Sequence, residues 1–231
     1  MYRIEPAGFD SIGRLLHSGE ETMKSHFLSF LLILSVCFLA QAQDEELENI
    51  IQNGDFEAQF QSWLFWTEGG AVAERFIDSK EIEPIDGKSV AYVEIHTQGA
   101  GGTGNQVQFY QGPFPLKNGR KYTLSVWMMG GEGGEQVSIQ VLKHENPWTN
   151  YGNQPITLKS EWDEYNLTFT QPVDDDMVRV DFFLGTTKGD IWIDHARLYE
   201  GEYFNDGIRE LPGRPVEPQS KLPITWGTIK L

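Results

Sequence analysis

Cysteine is almost absent from this 231-residue sequence. The only one, Cys37, falls inside an apolar run that is expected to be removed, so disulfide stapling, a cysteine nucleophile and cysteine-ligated zinc are all excluded for the remainder. Positive charge is scarce as well: 18 Lys and Arg stand against 34 Asp and Glu, a net charge of −16. A nucleic-acid partner needs a basic stripe to displace phosphate counterions, and none is present, so the acidity reads as extracellular solubility. Histidines number five, with no His-Glu-x-x-His pair and no nucleophile elbow, the spacings that zinc hydrolysis and serine catalysis require. Helical periodicity is missing, and no run is long and apolar enough to read as a membrane span.

What is present begins with a targeting signature. Met23-Lys24 gives a positive start, residues 27–39 are almost wholly apolar, and Ala40-Gln41-Ala42 supplies the small residues that a signal peptidase requires. Residues 23–42 are therefore expected to be a signal peptide cleaved near Ala42, leaving a secreted, extracellular or periplasmic protein, while residues 1–22 read as unstructured translated leader. Gly, Pro, Arg and Glu dominate residues 202–231, a linker or tail. The remaining chain, about 190 residues, is enough for one β-domain without staples, placed at 48–201.

Within that domain, short alternating runs are broken by glycine-rich turns, the pattern of an all-β sandwich. Strands are predicted over 63–67, 71–77, 89–96, 105–111, 121–129, 135–143, 162–170, 177–184 and 190–199. Side chains repeat every second residue along a strand. One parity therefore gives a core of Ala91, Val93, Ile95, Val107, Phe109, Tyr122, Leu124, Val126, Val137, Ile139, Val141, Val178, Val180, Phe182 and Leu184, with Trp63 and Trp162. The other parity holds Tyr92, Glu94, His96, Gln106, Gln108, Tyr110, Ser125, Trp127, Ser138, Gln140, Arg179, Asp181 and Phe183. Flat rings beside carboxamides have the composition of a binding surface; the plainer reading is a face covered by a loop or a partner.

Several segments occur together in a telling order: Asn53-Gly54-Asp55-Phe56-Glu57 with Trp63, Gln106-Val107-Gln108, residues 119–127 and 147–152, Glu161-Trp162 and Trp192-Ile193-Asp194. The set resembles carbohydrate-binding modules of the families four, nine, sixteen and twenty-two over about residues 50–200. That resemblance implies a galactose-binding-like jelly roll of two antiparallel sheets. It further implies non-catalytic binding of a polysaccharide or oligosaccharide (β-glucan, xylan or a related chain) on a concave sheet face, and a structural calcium at the sandwich edge. Calcium takes six to eight hard oxygens, many of them carbonyls. The expected ligands are the carboxylates of Glu57 and Asp194 and the carbonyls of Asp55 and Lys88; otherwise Asp55 or Glu57 caps a turn and Asp194 makes an ordinary ion pair.

A pyranose ring offers apolar C–H faces and hydroxyls that donate and accept, so aromatic plates and amides are its natural partners. Trp66, Tyr92, Tyr110 and Trp127 are the strand-borne candidates, Trp148 and Tyr151 the loop candidates, and Gln106, Gln108, Gln140 and Arg179 the polar set. Trp127 has a second reading, as a rim tryptophan beneath a loop. Two other classes compete. An enzyme would use Glu94 with Asp181, or, for a lyase, Tyr92 or Tyr110 with His96 and Arg179; an adhesion module would bind a protein on the same face. Any catalytic partner is expected to be a separate protein.

Overall fold

The computed structural model describes residues 47–78 and 82–209. The leader, the signal segment with Cys37 and the tail beyond residue 209 lie outside the described residues. Ten strands follow in chain order: β1 (Leu64–Thr67), β2 (Val72–Asp78), β3 (Val90–Thr97), β4 (Val107–Leu116), β5 (Lys121–Gly130), β6 (Gln136–Lys143), β7 (Asn150–Thr157), β8 (Asp163–Thr170), β9 (Asp175–Phe183) and β10 (Gly189–Glu200). They form two antiparallel five-stranded sheets, ordered β1-β4-β9-β6-β7 and β2-β3-β10-β5-β8. This is the expected β-sandwich jelly roll. A 3-10 turn at Gly104–Gln106 is the one helical element among the described residues, and no helix there is long and apolar enough to cross a membrane.

The alternation sorts the core as anticipated, except that Trp162, expected there, is buried in a separate cluster with Ile85 and Trp127. All fifteen residues of the inward parity, from Ala91 to Leu184, are buried in one cluster between the sheets, and Trp63 joins them. Trp63 stacks on Phe109 at 4.9 Å and on Phe182 at 5.6 Å, while Phe109 and Phe182 are cross-strand partners on β4 and β9. Aromatic pairs of this kind add to what area burial alone supplies.

Strand β7 is absent from the sequence prediction. Its segment carries Asn150, Gly152, Asn153 and Pro155, residues depleted from strands. It survives because it is an edge strand, where a missing N–H at Pro155 costs no ladder bond on the open side.

The Asn53–Glu57 motif closes the sandwich. Asn53 has a φ of 52° and donates its amide to the carbonyls of Gln59 and Gln61, while its own carbonyl accepts the Trp63 indole N–H at 3.0 Å. Gly54 then accepts the Ala196 N–H at 3.0 Å, and a Cβ at Gly54 would lie 2.1 Å from the Ala196 oxygen, so only glycine permits the approach. Ile50 donates to Leu198 at 2.7 Å, and Asn49 brackets Ala196 and Leu198. The first described segment is thereby held along β10, the last of the described strands.

The two outer faces differ. Over the second sheet, Ile82 and Ile85 pack on Trp127, Met129 and Trp162, and the Trp162 indole donates to the Glu83 carbonyl at 3.0 Å. Phe204 packs edge-on against Tyr199, and Asp206 pairs with Arg197 at 2.7 Å. Much of the second sheet's exterior is thus covered by its own chain. The first sheet keeps an open outer face.

Phe109 is the hub of the buried aromatic set, so Phe109→Ala is expected to lower unfolding stability by about 3–5 kcal/mol. Urea denaturation measures this, and an unshifted midpoint would contradict the packing described.

Candidate functional site

A cleft of about 560 Å³ lies on the outer face of the first sheet. Its floor comes from alternate residues of three adjacent strands: Gln108 and Tyr110 on β4, Arg179 and Phe183 on β9, Gln140 and Leu142 on β6. Trp66 and Glu68, at and just beyond β1, border it on one side with Asn105, and Trp148 with Asn150 borders it on the other. Strand parity aims the floor, and the edge strands β1 and β7 with the loops beside them supply the walls.

The floor is held by a relay of amides. Arg179 Nη2 donates to Gln108 Oε1 at 2.8 Å, and Gln108 Nε2 donates to the Asn105 carbonyl at 2.7 Å. Gln140 Nε2 donates to Asn153 Oδ1 at 2.8 Å and to Ser138 Oγ at 2.9 Å, while Asn150 donates to Gln140 Oε1. The Arg179 guanidinium lies 4.5 Å from the Tyr110 ring centre and 5.4 Å from that of Trp148, cation–π contacts on both sides. Trp148 has a φ of 58°, a backbone state that a bulky residue seldom adopts, closed by its N–H on the Glu145 carbonyl at 2.8 Å. Such strain persists where surroundings enforce it, and here it turns an indole that is 52% exposed over the cleft.

Burial governs the charges. Asp181, beneath the floor, is driven well above the ordinary carboxylate range by desolvation, with Arg179 opposing. His144, whose ring lies 6.0 Å from Tyr110, is lowered first by burial and then by Arg179.

Six of the ten expected binding residues meet in the cleft: Trp66, Gln108, Tyr110, Gln140, Trp148 and Arg179. Four do not. Gln106 is folded into the preceding loop, its amide oxygen accepting the Thr103 N–H at 3.1 Å and its Nε2 bonded to the Ala100 carbonyl. Tyr151 packs on the core and donates its hydroxyl to Asp175 Oδ2 at 2.6 Å, with burial raising it to about 12. Trp127 is 1% exposed beneath Ile85 and Trp162, the second of its two readings. Tyr92 belongs to β3 of the second sheet, stacked between Phe76 and Trp192. Parity was right for Tyr92 and Trp127, but parity cannot say which of two sheets a strand joins.

The same separation breaks up the catalytic constellations. Glu94 and His96 lie on β3 in the second sheet, whereas Asp181, Arg179 and Tyr110 lie on β9 and β4 in the first. Neither the Glu94–Asp181 pair nor a group joining His96 to Arg179 is assembled. Glu68, Asn105, Leu142 and Asn150 line the cleft as well, outside the ten expected residues. Glu68 and Leu142 sit two residues beyond Trp66 and Gln140, so extending the alternation by one step points to both.

The expected metal ligands converge on one turn from distant chain positions. Glu57 Oε1 accepts the Lys88 N–H at 2.6 Å, while Asp194 Oδ2 accepts the N–H groups of Ile85 and Asp86 at 2.7 and 3.0 Å. Asp194 Oδ1 accepts the His195 N–H at 2.7 Å. Asp194 is fully buried, makes no salt bridge among the described residues, and is pushed up to about 7 by burial despite those three bonds. Asp55 Oδ1 accepts the Glu57 N–H at 3.3 Å, a turn contact. Among the described residues no group of three or more His, Cys, Asp or Glu side chains is disposed to hold a metal, so carbonyl oxygens would have to complete any coordination.

Residues 48–189 match the family model described as a carbohydrate binding domain. A solved family-four carbohydrate-binding module (CBM4) is 26% identical, with a TM-score of 0.55, covering 65% of this chain and 99% of that one. The Stig cyclase Fisc from Fischerella sp. TAU is 16% identical (TM-score 0.54; 67% of this chain, 98% of that one) and shares the fold. So does the enzymatically active domain of tailspike protein 4 from bacteriophage CBA120, at 15% identity (TM-score 0.54; 66% of this chain, 21% of that one). No curated protein matches significantly.

The two tryptophans that sequence ranked together separate by role. Trp127→Ala is expected to cost about 3–5 kcal/mol of stability, whereas Trp148→Ala, cutting back an exposed ring, should leave the melt within a degree or two of the parent. Calorimetric melts of both variants check the contrast, and equal losses would refute it.

Proposed function

This chain belongs to the carbohydrate binding domain family whose model spans residues 48–189, and from that premise we propose that it is a secreted, non-catalytic module that holds a β-glucan, xylan or related chain in the cleft of its first sheet. One observation carries the reading. Trp66 and Trp148, 54% and 52% exposed, stand on opposite sides of a floor that carries Gln108, Gln140 and Arg179, with Asn150 beside Trp148. Large rings left in water gain by covering an apolar surface, and the sugar ring's C–H face provides one. The amides answer its hydroxyls, each of which donates and accepts. A purely protein-binding face would be expected to hold fewer carboxamides.

Non-catalytic binding is favoured because the acid pair and the lyase group considered above are divided between opposite sheets. Affinity for a flexible chain on few contacts is expected to be modest, roughly micromolar to millimolar. Trp66→Ala and Trp148→Ala should each weaken retention in affinity electrophoresis on soluble β-glucan or xylan about thirtyfold, which corresponds to about 2 kcal/mol for an aromatic anchor. Unchanged mobility in both variants would sink the cleft assignment. Release of reducing ends from either polysaccharide would move the protein to the enzymes.

We also propose a structural calcium at the turn of residues 85–88. A buried Asp194 that makes no salt bridge among the described residues, and Glu57 on the same turn, are the features that suit it. Bound there with carbonyls of Asp55 and Lys88, the ion would supply the missing counter-charge. A chelator is then expected to lower the parent's melting temperature and leave that of Asp194→Ala unmoved; a parent melt indifferent to chelator removes the metal.

A further inference from the structure

We propose that Asp181 is the positioning residue of the cleft: from beneath the floor it holds the Arg179 guanidinium between Tyr110 and Trp148, and glycan is gripped tightly only while that pair is intact. This rests on the glycan reading of the cleft and adds to it a residue that touches no ligand.

Strand β9 runs down the middle of the first sheet between β4 and β6. Asp181 is aligned with Tyr110 on one side and Gln140 on the other, and its same-face neighbours along the strand are Arg179 and Phe183. Those four line the cleft, whereas Asp181 is 0% exposed and lies under them. Its Oδ2 is 2.8 Å from Arg179 Nη2, but off the N–H direction, so the contact is an ion pair and neither carboxylate oxygen accepts a hydrogen bond. Nothing else in the described protein compensates that carboxylate.

Arg179 has the matching need. Its side chain is 9% exposed, its Nε is buried without a partner, and its one good hydrogen bond goes to Gln108 Oε1. A long basic side chain without a buried counter-charge extends its head group into water. Here the route to water is the cleft itself. Released from Asp181, Arg179 would rise between Tyr110 and Trp148, remove the flat plate that joins the two rings, and occupy space that a sugar requires. Taking away one member of a buried pair also leaves the other uncompensated, which favours such escape.

Protonation of Asp181 is a natural way to release it. Burial raises this carboxyl well above the usual range with Arg179 opposing, so it takes up a proton at milder acidity than an exposed carboxylate. The groups facing the pair are Tyr110 from β4, the uncharged Gln140 from β6, and His144 just beyond β6, which feels Arg179 and, in the opposite sense, Glu145. His144 is lowered by burial and by Arg179, which places its own protonation on the acid side of its ordinary value. The signs oppose each other. Asp181's contribution to folding is fully present below its unfolded value and is lost as pH rises through its folded value; the ionised pair that orders Arg179 forms over that same rise.

Isothermal titration of the full chain with xylohexaose and with a mixed-linkage β-glucan hexasaccharide, from acid to alkaline pH, tests this. The parent's affinity is expected to fall about tenfold on acidification. Asp181→Asn, which keeps shape but not charge, should hold the weak value at every pH. In parallel, the 15N-edited Arg179 Nε–H signal of the free parent should shift over the same pH range and sit at its acid-limit position in Asp181→Asn. Equal affinity of parent and Asp181→Asn at all pH overturns the proposal, as does an Arg179 signal indifferent to both pH and substitution. If Asp181→Asn does not fold, the parent's affinity profile and Arg179 signal decide, since loss of their shared pH dependence is equally fatal. A parent that binds neither oligosaccharide at any pH strikes the glycan reading itself, and the Arg179 signal then judges the positioning role alone.

Discussion

Burial of one apolar layer between two five-stranded sheets is the constraint on which the other features depend. Side chains alternate along a strand, so each residue committed to that layer sends its neighbours outward. Phe109 and Phe182 face each other across β4 and β9, and this alone turns Gln108, Tyr110, Asp181 and Phe183 away from the core. The binding floor is thus the reverse side of the hydrophobic register. A one-residue slip of β9 would lose the core and the cleft together.

What distinguishes the two exteriors is how the chain covers them. The 82–88 segment and residues 203–206 seal much of the second sheet, burying Trp127 and Tyr199, and they are anchored by Trp162, Arg197 and the buried Asp194. The Asn53–Glu57 motif contributes by tying the chain's first described segment to β10. Its sequence is explained by packing: Asn53 for a positive φ and a carbonyl to meet Trp63, Gly54 for contact with Ala196, Phe56 for the core. With one sheet sealed, the open face of the other is where a ligand has room.

In the cleft, charge and ring geometry are coupled. Arg179 is a flat cation between two aromatic faces, hydrogen-bonded to Gln108 and paired with a carboxylate that no water reaches. Lysine could not take this role, because a point charge on a flexible stem lacks the planar fork that stacks and bonds at once. The walls are different in kind. Trp66 comes from a short edge strand and Trp148 from a strained loop, and both remain half in water. A rigid, neutralised floor with exposed rings at its sides suits weak, repeated contacts with a long chain.

By itself the sequence determined the all-β architecture, nine of the ten strands and every member of the inward set from Ala91 to Leu184, because strand periodicity and turn residues are local properties. It also brought Trp66, Gln108, Tyr110, Gln140, Trp148 and Arg179 into one functional list. It could not separate Tyr92, Glu94, His96 and Trp127 from that list, since parity is the same in both sheets and only long-range strand pairing assigns β3 and β5 to the second. Edge strand β7 was illegible because its stability comes from its neighbour β6 and not from its own residues. Tertiary structure alone decided which outward face stays open and that Asp181, an ordinary acidic residue on an outward register, is sealed beneath Arg179: burial is set by what lies above a residue, and nothing in a strand's own repeat records that.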